Sequence, residues 1–320
     1  MRWKIGKSMM MVAGASLLLN VCAHTQARYA DNAYYAANKE ALQLTKTSNF
    51  TIVPYELVRG MILVKAEIEG QSGNFILDTG APTLIVNGDG IGERSAEWQS
   101  VSSDFNASTI RINKFNWAGI EKKGIEAIAL DISHLEEAYQ RKLLGIIGYQ
   151  IFAGREILVN ANTMQIFIFD GKKNYLSRVS KPITTLPFTM QDHLPVISAR
   201  VGGQTYQFGF DSGCTANLLD QALLDKLPER AYNMLAQRQL QGFSEEPQDV
   251  MVIGTAAIEL DNLPAKESEY LVTNLSHLKA SDIHISGLLG YPFFKGLTFS
   301  INYVTRQLSI WEIHPEEVLP

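Results

Sequence analysis

The sequence predicts an all-β chain of two tandem lobes with short helices. Three observations lead there. Short runs rich in Val, Ile, Phe and Thr, several of them alternating, recur from Phe50 onward between Gly, Asn and Asp turn signals. One such run ends in a carboxylate, Phe75-Ile-Leu-Asp78-Thr-Gly-Ala, and the phrase returns as Phe208-Gly-Phe-Asp211-Ser-Gly-Cys, 133 positions later (211 − 78). The elements around both phrases repeat in the same order, as in a duplicated unit.

A chain of 320 residues has room for two domains of ordinary size. Its 46% apolar and 19% charged content is that of a globular protein and leaves no long polar tract. Formal net charge is −5, and the first 27 residues hold Arg2, Lys4 and Lys7 without an acid, so the rest is more acidic still. An acidic body gives no electrostatic reason to bind nucleic acid or an anionic membrane.

Residues 1–27 read as a signal peptide. A basic opening, Met1 to Lys7, precedes an apolar run from Ser8 to Val21, too short to span a bilayer. Cleavage after Ala23 or Ala27 would export the protein to a periplasm or to the medium, with no transmembrane domain left. Lipid anchoring through Cys22 is less favoured, because Leu19-Asn-Val21 lacks the small residues such a site prefers. Cys214 is then the only cysteine of the mature chain, expected as a small buried thiol without an internal disulfide.

Residues 28–49 form an N-terminal leader with a helix over Tyr34–Leu44. The first lobe spans 50–170. Phe50–Leu57 and Met61–Ile68 are its opening strands, Glu69–Asn74 is a turn, and Phe75–Leu77 delivers Asp78. Residues 171–186, with Lys172, Lys173, Lys181 and Pro182, are the linker. The second lobe spans 187–314, and 315–320 are a tail. In that lobe Leu194–Val201 matches Met61–Ile68, Gly202–Thr205 matches the turn, and Tyr206–Phe210 delivers Asp211. Asp131-Ile-Ser-His-Leu is echoed by Asn274-Leu-Ser-His-Leu, and Leu144-Gly-Ile-Ile-Gly-Tyr by Ser286-Gly-Leu-Leu-Gly-Tyr. Each lobe then ends in a hairpin: Glu156–Asn160 with Gln165–Asp170, and Leu297–Asn302 with Gln307–Glu312, each turned by Asn-x-x-Thr.

Asp-Thr-Gly followed by Asp-Ser-Gly in matched frames resembles the active-site pair of the aspartic peptidases, the pepsin and retropepsin group. The resemblance covers about two-thirds of the chain by motif context. It implies a bilobal acid-protease fold of two retropepsin-like lobes in tandem, with Asp78 and Asp211 as a catalytic dyad between them. Thr79, Gly80, Ser212 and Gly213 would be the supporting loop residues, the two hydroxyls interlocking across the interface. Gly148 and Gly290, with Gly145 and Gly287, would lie on apolar strands crossing beneath the loops, where backbone comes too close for a side chain. Candidate flaps over the substrate are Gln99–Ile110, with Phe105, and Leu240–Val250, with Gly242 and Phe243, the alternative being ordinary surface hairpins.

The implied chemistry is peptide-bond hydrolysis by an exported aspartic endopeptidase. Two close carboxyls cannot both ionise readily, so one stays protonated while the other activates a water. The alternative is a catalytically inactive peptide-binding module of the same fold. A peptide or protein is the expected partner, and a monomer suffices because one chain supplies both acids. No zinc spacing or phosphate-cradling loop is present, so neither metal nor cofactor is expected. The positions after each Gly, Ala81 and Cys214, depart from the Ser or Thr usual in pepsin. Cys214 as a nucleophile is disfavoured for want of a histidine in a matching frame. His134 and His277 share a frame, but Ser133-His-Leu-Glu136 reads as a capping box at a helix start.

Overall fold

The structure is a computed structural model describing residues 45–46, 50–88, 91, 93–94, 107–173, 175–240, 248–255, 258–261, 263 and 267–312. It is mostly β with a few short helices. The signal peptide, the Tyr34–Leu44 helix and the flap candidates Phe105 and Phe243 lie outside the described residues. Among those described, no helix is long and apolar enough to cross a membrane.

The two halves repeat one strand arrangement. Met61–Ile68 folds back on Gln71–Leu77 with Leu63 opposite Ile76, and Leu194–Val201 folds back on Gln204–Phe210 with Ile197 opposite Phe208. The expected six-residue and four-residue turns are only two residues long, Glu69-Gly70 and Gly202-Gly203, all at positive φ. That left-handed pair suits the twist of a two-residue hairpin and lets the delivery strands start at Gln71 and Gln204.

The strand after each acidic loop does not pair with the strand before it. A third strand, from far along the chain, lies between them. Gly145–Ile147 runs parallel to the first delivery strand, with Ile147 beside Leu77, and antiparallel to Ile85–Asn87. Gly287–Leu289 does the same, with Leu289 beside Phe210 and Leu288 opposite Leu218. Buried on all sides, these three-residue strands are uniformly apolar, Gly-Ile-Ile and Gly-Leu-Leu, as strands covered on both faces must be.

The closing hairpins join the halves. Arg155–Asn160 pairs antiparallel with Thr298–Asn302, placing Glu156 opposite Asn302 and Val159 opposite Phe299. The sheet there runs in the order Phe50–Pro54, Gln165–Asp170, Arg155–Asn160, Thr298–Asn302, Gln307–Trp311, Thr184–Gln191. Both Asn-x-x-Thr turns are built alike: Asn160 Oδ1 accepts from the backbone N–H of Asn162 and Thr163, and Asn302 Oδ1 from those of Val304 and Thr305. One large apolar cluster runs from Val53 and Phe75 to Phe210 and Ile310, with a smaller one in each half around Ile76 and Leu288.

Two local expectations are corrected. The Ser133–Tyr139 helix has no capping box, for Asp131 Oδ1 accepts from Ser133 N–H while Glu136 Oε1 accepts from Leu143 N–H instead. Asn274 accepts from Ser276 N–H in the same way, so Asp131 and Asn274 are the conserved-frame turn formers of the two copies. The segment 171–186 is no loose tether. It holds the Leu176–Val179 helical turn, whose Leu176 packs with Phe50, Phe169 and Trp311, and the start of Thr184–Gln191.

Candidate active site

Asp78 and Asp211 sit one residue past the ends of the delivery strands, each held by the strand that crosses beneath. Asp78 N–H donates to Ile147 O at 3.1 Å and Asp211 N–H to Leu289 O at 3.0 Å. The loops then bend tightly over Gly148 and Gly290. A Cβ on Gly148 would strike the Ala81 and Thr83 carbonyls, and one on Gly290 those of Cys214 and Ala216. Tyr149 N–H reaches Ala81 O at 2.9 Å and Tyr291 N–H reaches Cys214 O at 2.7 Å. Backbone contact is what excludes a side chain at both positions.

Between the loops the hydroxyls are exchanged. Thr79 Oγ1 accepts from Ser212 N–H at 2.8 Å and donates to Phe210 O at 3.3 Å. Ser212 Oγ accepts from Thr79 N–H at 3.0 Å and donates to Leu77 O at 3.0 Å. All four bonds are buried, and each joins one half of the chain to the other. A water-inaccessible site raises the cost of breaking them, because the N–H groups have no second partner to turn to.

This lock brings the carboxyls together. The Asp211 carboxyl lies against the Cα of Gly80, where a Cβ would collide with it, and the Asp78 carboxyl lies in the same way against Gly213. Asp78 Oδ1 accepts from Gly80 N–H at 2.7 Å and Ala81 N–H at 3.1 Å, and Asp211 Oδ1 accepts from Gly213 N–H at 2.8 Å. The two carboxyls are near enough to perturb each other, and both are almost fully buried, at 2% and 3% exposure. Burial pushes Asp78 well above the usual carboxylate range, helped by the charge of Asp211 beside it. Burial raises Asp211 as well, opposed by the neighbouring Asp78, by its bond from Gly213 and by His193. The pair therefore holds a shared proton into a pH range where an ordinary aspartate is ionised.

No side-chain donor follows either Gly. Ala81 offers only its N–H, and the Thr83 hydroxyl is spent on Gln150 Oε1 and Glu126 O. Cys214 is fully buried with Sγ 3.0 Å from Ala216 O. Cys214 is not a free cysteine in the structure, which corrects the expected free thiol. Its sulfur is turned to Ala216 O.

His277 Nδ1 meets Asn274 O at 3.1 Å, and burial lowers its pKa. Among the described residues no group of three or more His, Cys, Asp or Glu is placed to hold a metal ion. Two residues at the site had no place in the sequence reading. Tyr303 packs on Tyr149, Phe152 and Phe188, and burial keeps its phenol protonated. His193 reaches Gly80 from the opposite half. A signal for it existed: aligning Leu194 with Met61 sets His193 against Gly60, a departure from the repeat one residue before the matched strands. No protein-family model matches this chain, and no curated protein matches it.

Proposed function

We propose that this protein is an exported aspartic endopeptidase, built as two retropepsin-like lobes in tandem with the active cleft between them. The observation that carries the reading is the reciprocal seat of the carboxyls, each against the glycine of the other loop, with Thr79 and Ser212 locking the loops together. Such a seat concentrates two acids where neither can be solvated, an arrangement that is costly to keep without a use for the shared proton. The opening of the chain, Met1 to Ala27, supports export.

In the mechanism this geometry supports, one carboxyl keeps the proton and the other is ionised. The ionised carboxylate takes a proton from a water held between the two, and that water attacks the scissile carbonyl carbon. The protonated carboxyl donates to the carbonyl oxygen as the tetrahedral species forms. A proton then passes to the leaving nitrogen as the C–N bond breaks, and the dyad returns to its single-proton state. The chain needs no covalent intermediate for this, and the backbone N–H groups of Gly80, Ala81 and Gly213 fix the carboxyl planes throughout.

The test is incubation of the purified protein with a mixed peptide library, with and without a statine-type inhibitor. Inhibitor-sensitive cleavage is expected, linear in protein concentration because one chain carries both acids. Asp78→Asn and Asp211→Asn should each abolish it in a folded protein. Near-normal turnover in either variant overturns the dyad. Inhibitor binding without cleavage would favour the peptide-binding module instead.

A further inference from the structure

His193 occupies the turn between the strands Thr184–Gln191 and Leu194–Val201, after Asp192, whose φ of 52° is strained for a non-glycine residue. Its ring is 3% exposed, and both nitrogens are engaged. Nε2 lies 2.7 Å from Gly80 O, and Nδ1 lies 2.8 Å from Asp192 Oδ2. Both partners are acceptors. A neutral imidazole carries one N–H and would set a lone pair against one of them, whereas the imidazolium donates to both.

The position is one-sided. In the first half the matched residue is Gly60, which has no side chain and lies under the ring of Tyr291. The two halves thus differ by one imidazole, bonded to the carbonyl of Gly80, the residue against which the Asp211 carboxyl rests. A cation on one side only distinguishes two otherwise matched carboxyls, favouring the ionised form of the nearer one.

We propose that His193 is a positioning residue of the dyad, an imidazolium that clamps the Asp78-Thr79-Gly80 loop from the opposite half and biases the shared proton onto Asp78, leaving Asp211 as the base. The inference rests on the dyad reading above. The groups that face the ring are Asp192 on its own turn, the Gly80 carbonyl and, through its charge, Asp211. His284, which is exposed, meets the same hairpin through its backbone at Gln191. The direction agrees with the electrostatics at Asp211, which the charge of His193 lowers. Deprotonation of His193 removes one of its two donors and the bias together. Activity should therefore fall at alkaline pH before the loops themselves loosen.

The experiment reads protonation directly, apart from turnover. Uniformly 15N- and 13C-labelled protein is titrated, following the ring nitrogens of His193 by long-range 1H–15N spectra and the Asp78 and Asp211 carboxyl carbons. The wild-type ring should be doubly protonated wherever the dyad holds one proton. His193→Gln keeps a donor for Gly80 O and loses the charge, so the last proton of the dyad should leave about one pH unit higher. In peptide cleavage the same variant should lose kcat with KM little changed, and its alkaline limb should move. A neutral wild-type ring, or a carboxyl titration unmoved in folded His193→Gln, overturns the proposal. If His193→Gln does not fold, the wild-type ring spectrum decides alone. A shifted titration in a protein without peptidase activity removes the peptidase reading and keeps the clamp, whereas cleavage with an unshifted titration does the reverse.

Discussion

Replacing Ser212 by Ala removes one side of the lock and leaves everything else in its place. Ser212 Oγ makes two buried bonds, accepting from Thr79 N–H and donating to Leu77 O, both at 3.0 Å. Two neutral bonds are worth about 1 kcal/mol each, and the orphaned Thr79 N–H adds a desolvation cost of about 1–3 kcal/mol. Ser212→Ala should therefore destabilise by about 3–5 kcal/mol. Thr79→Val is nearly isosteric and orphans Ser212 N–H in the same way, but its second bond, to Phe210 O, is longer at 3.3 Å, so about 2–3 kcal/mol is expected. Thr79 and Ser212 form one interlocked network, each hydroxyl both accepting and donating, so the double variant should depart from the sum of the single losses by about 0.5–3 kcal/mol. Urea unfolding followed by fluorescence and by far-UV circular dichroism measures this. Because every bond in the lock joins the two halves, the variants should also unfold less cooperatively, with a lower m or a second transition. Single variants that each cost under about 0.5 kcal/mol, with unaltered m, would refute the claim that these hydroxyls hold the halves together.

Further outcomes follow from other buried groups. Ala81→Ser would give Asp78 a hydroxyl donor it lacks; the ionised dyad gains, and the acid limb of the pH–activity profile should move down, measured with stability checked separately. Without that substitution the active range should lie in mildly acid conditions, above that of a site supplied with such donors. Glu156 is 4% exposed and raised by burial against its bonds from Ser300 Oγ and Asn302 Nδ2. A carboxyl raised on folding stabilises the fold below its unfolded pKa, about 4.3, and that contribution is lost as pH rises through the higher folded value. Urea titrations at several pH values should show this slope in the parent and lack it in Glu156→Gln. Gly148→Ala forces its Cβ onto the Ala81 and Thr83 carbonyls, so a loss of about 3 kcal/mol or more, with impaired activity, is expected by thermal melt and peptide cleavage.

The parts of the fold that were legible in the sequence are those where one residue type satisfies a constraint by itself. Gly148 and Gly290 had to be glycine because backbone carbonyls lie where a side chain would start, and the duplication showed the constraint twice. Asn160 and Asn302 likewise fold their turns with their own side chains. Legibility ended where a partner comes from elsewhere. Glu136 has the spacing of a capping box, yet Leu143 N–H offers it a better use once the chain has turned back, and Asp131 is left to hold Ser133. Lys and Pro made 171–186 look like linker, but Thr184 to Pro187 alternate, and their ladder partners, Ile310 to Gln307, are over a hundred residues away.

The same distinction explains why the two acids could be found by eye and the histidine could not. A duplicated chain advertises what its copies share, and the shared features here are those that build the seat: loop, lock and crossing strand. Whatever distinguishes the copies is hidden by that search, since it shows only as a mismatch. Two identical carboxyls in identical surroundings divide a proton evenly until a bound substrate or a one-sided neighbour distinguishes them, and a built-in distinction can lie only where the halves differ. The chemistry of the site must therefore be looked for in the mismatches between the halves. Gly60 against His193 is the mismatch that touches an active loop, and Ala81 against Cys214 is the one adjacent to it. If function resides there, restoring symmetry should cost activity sooner than stability. His193→Gly, which makes the second turn like the first, should leave the lock between Thr79 and Ser212 in place while removing the bias between the acids.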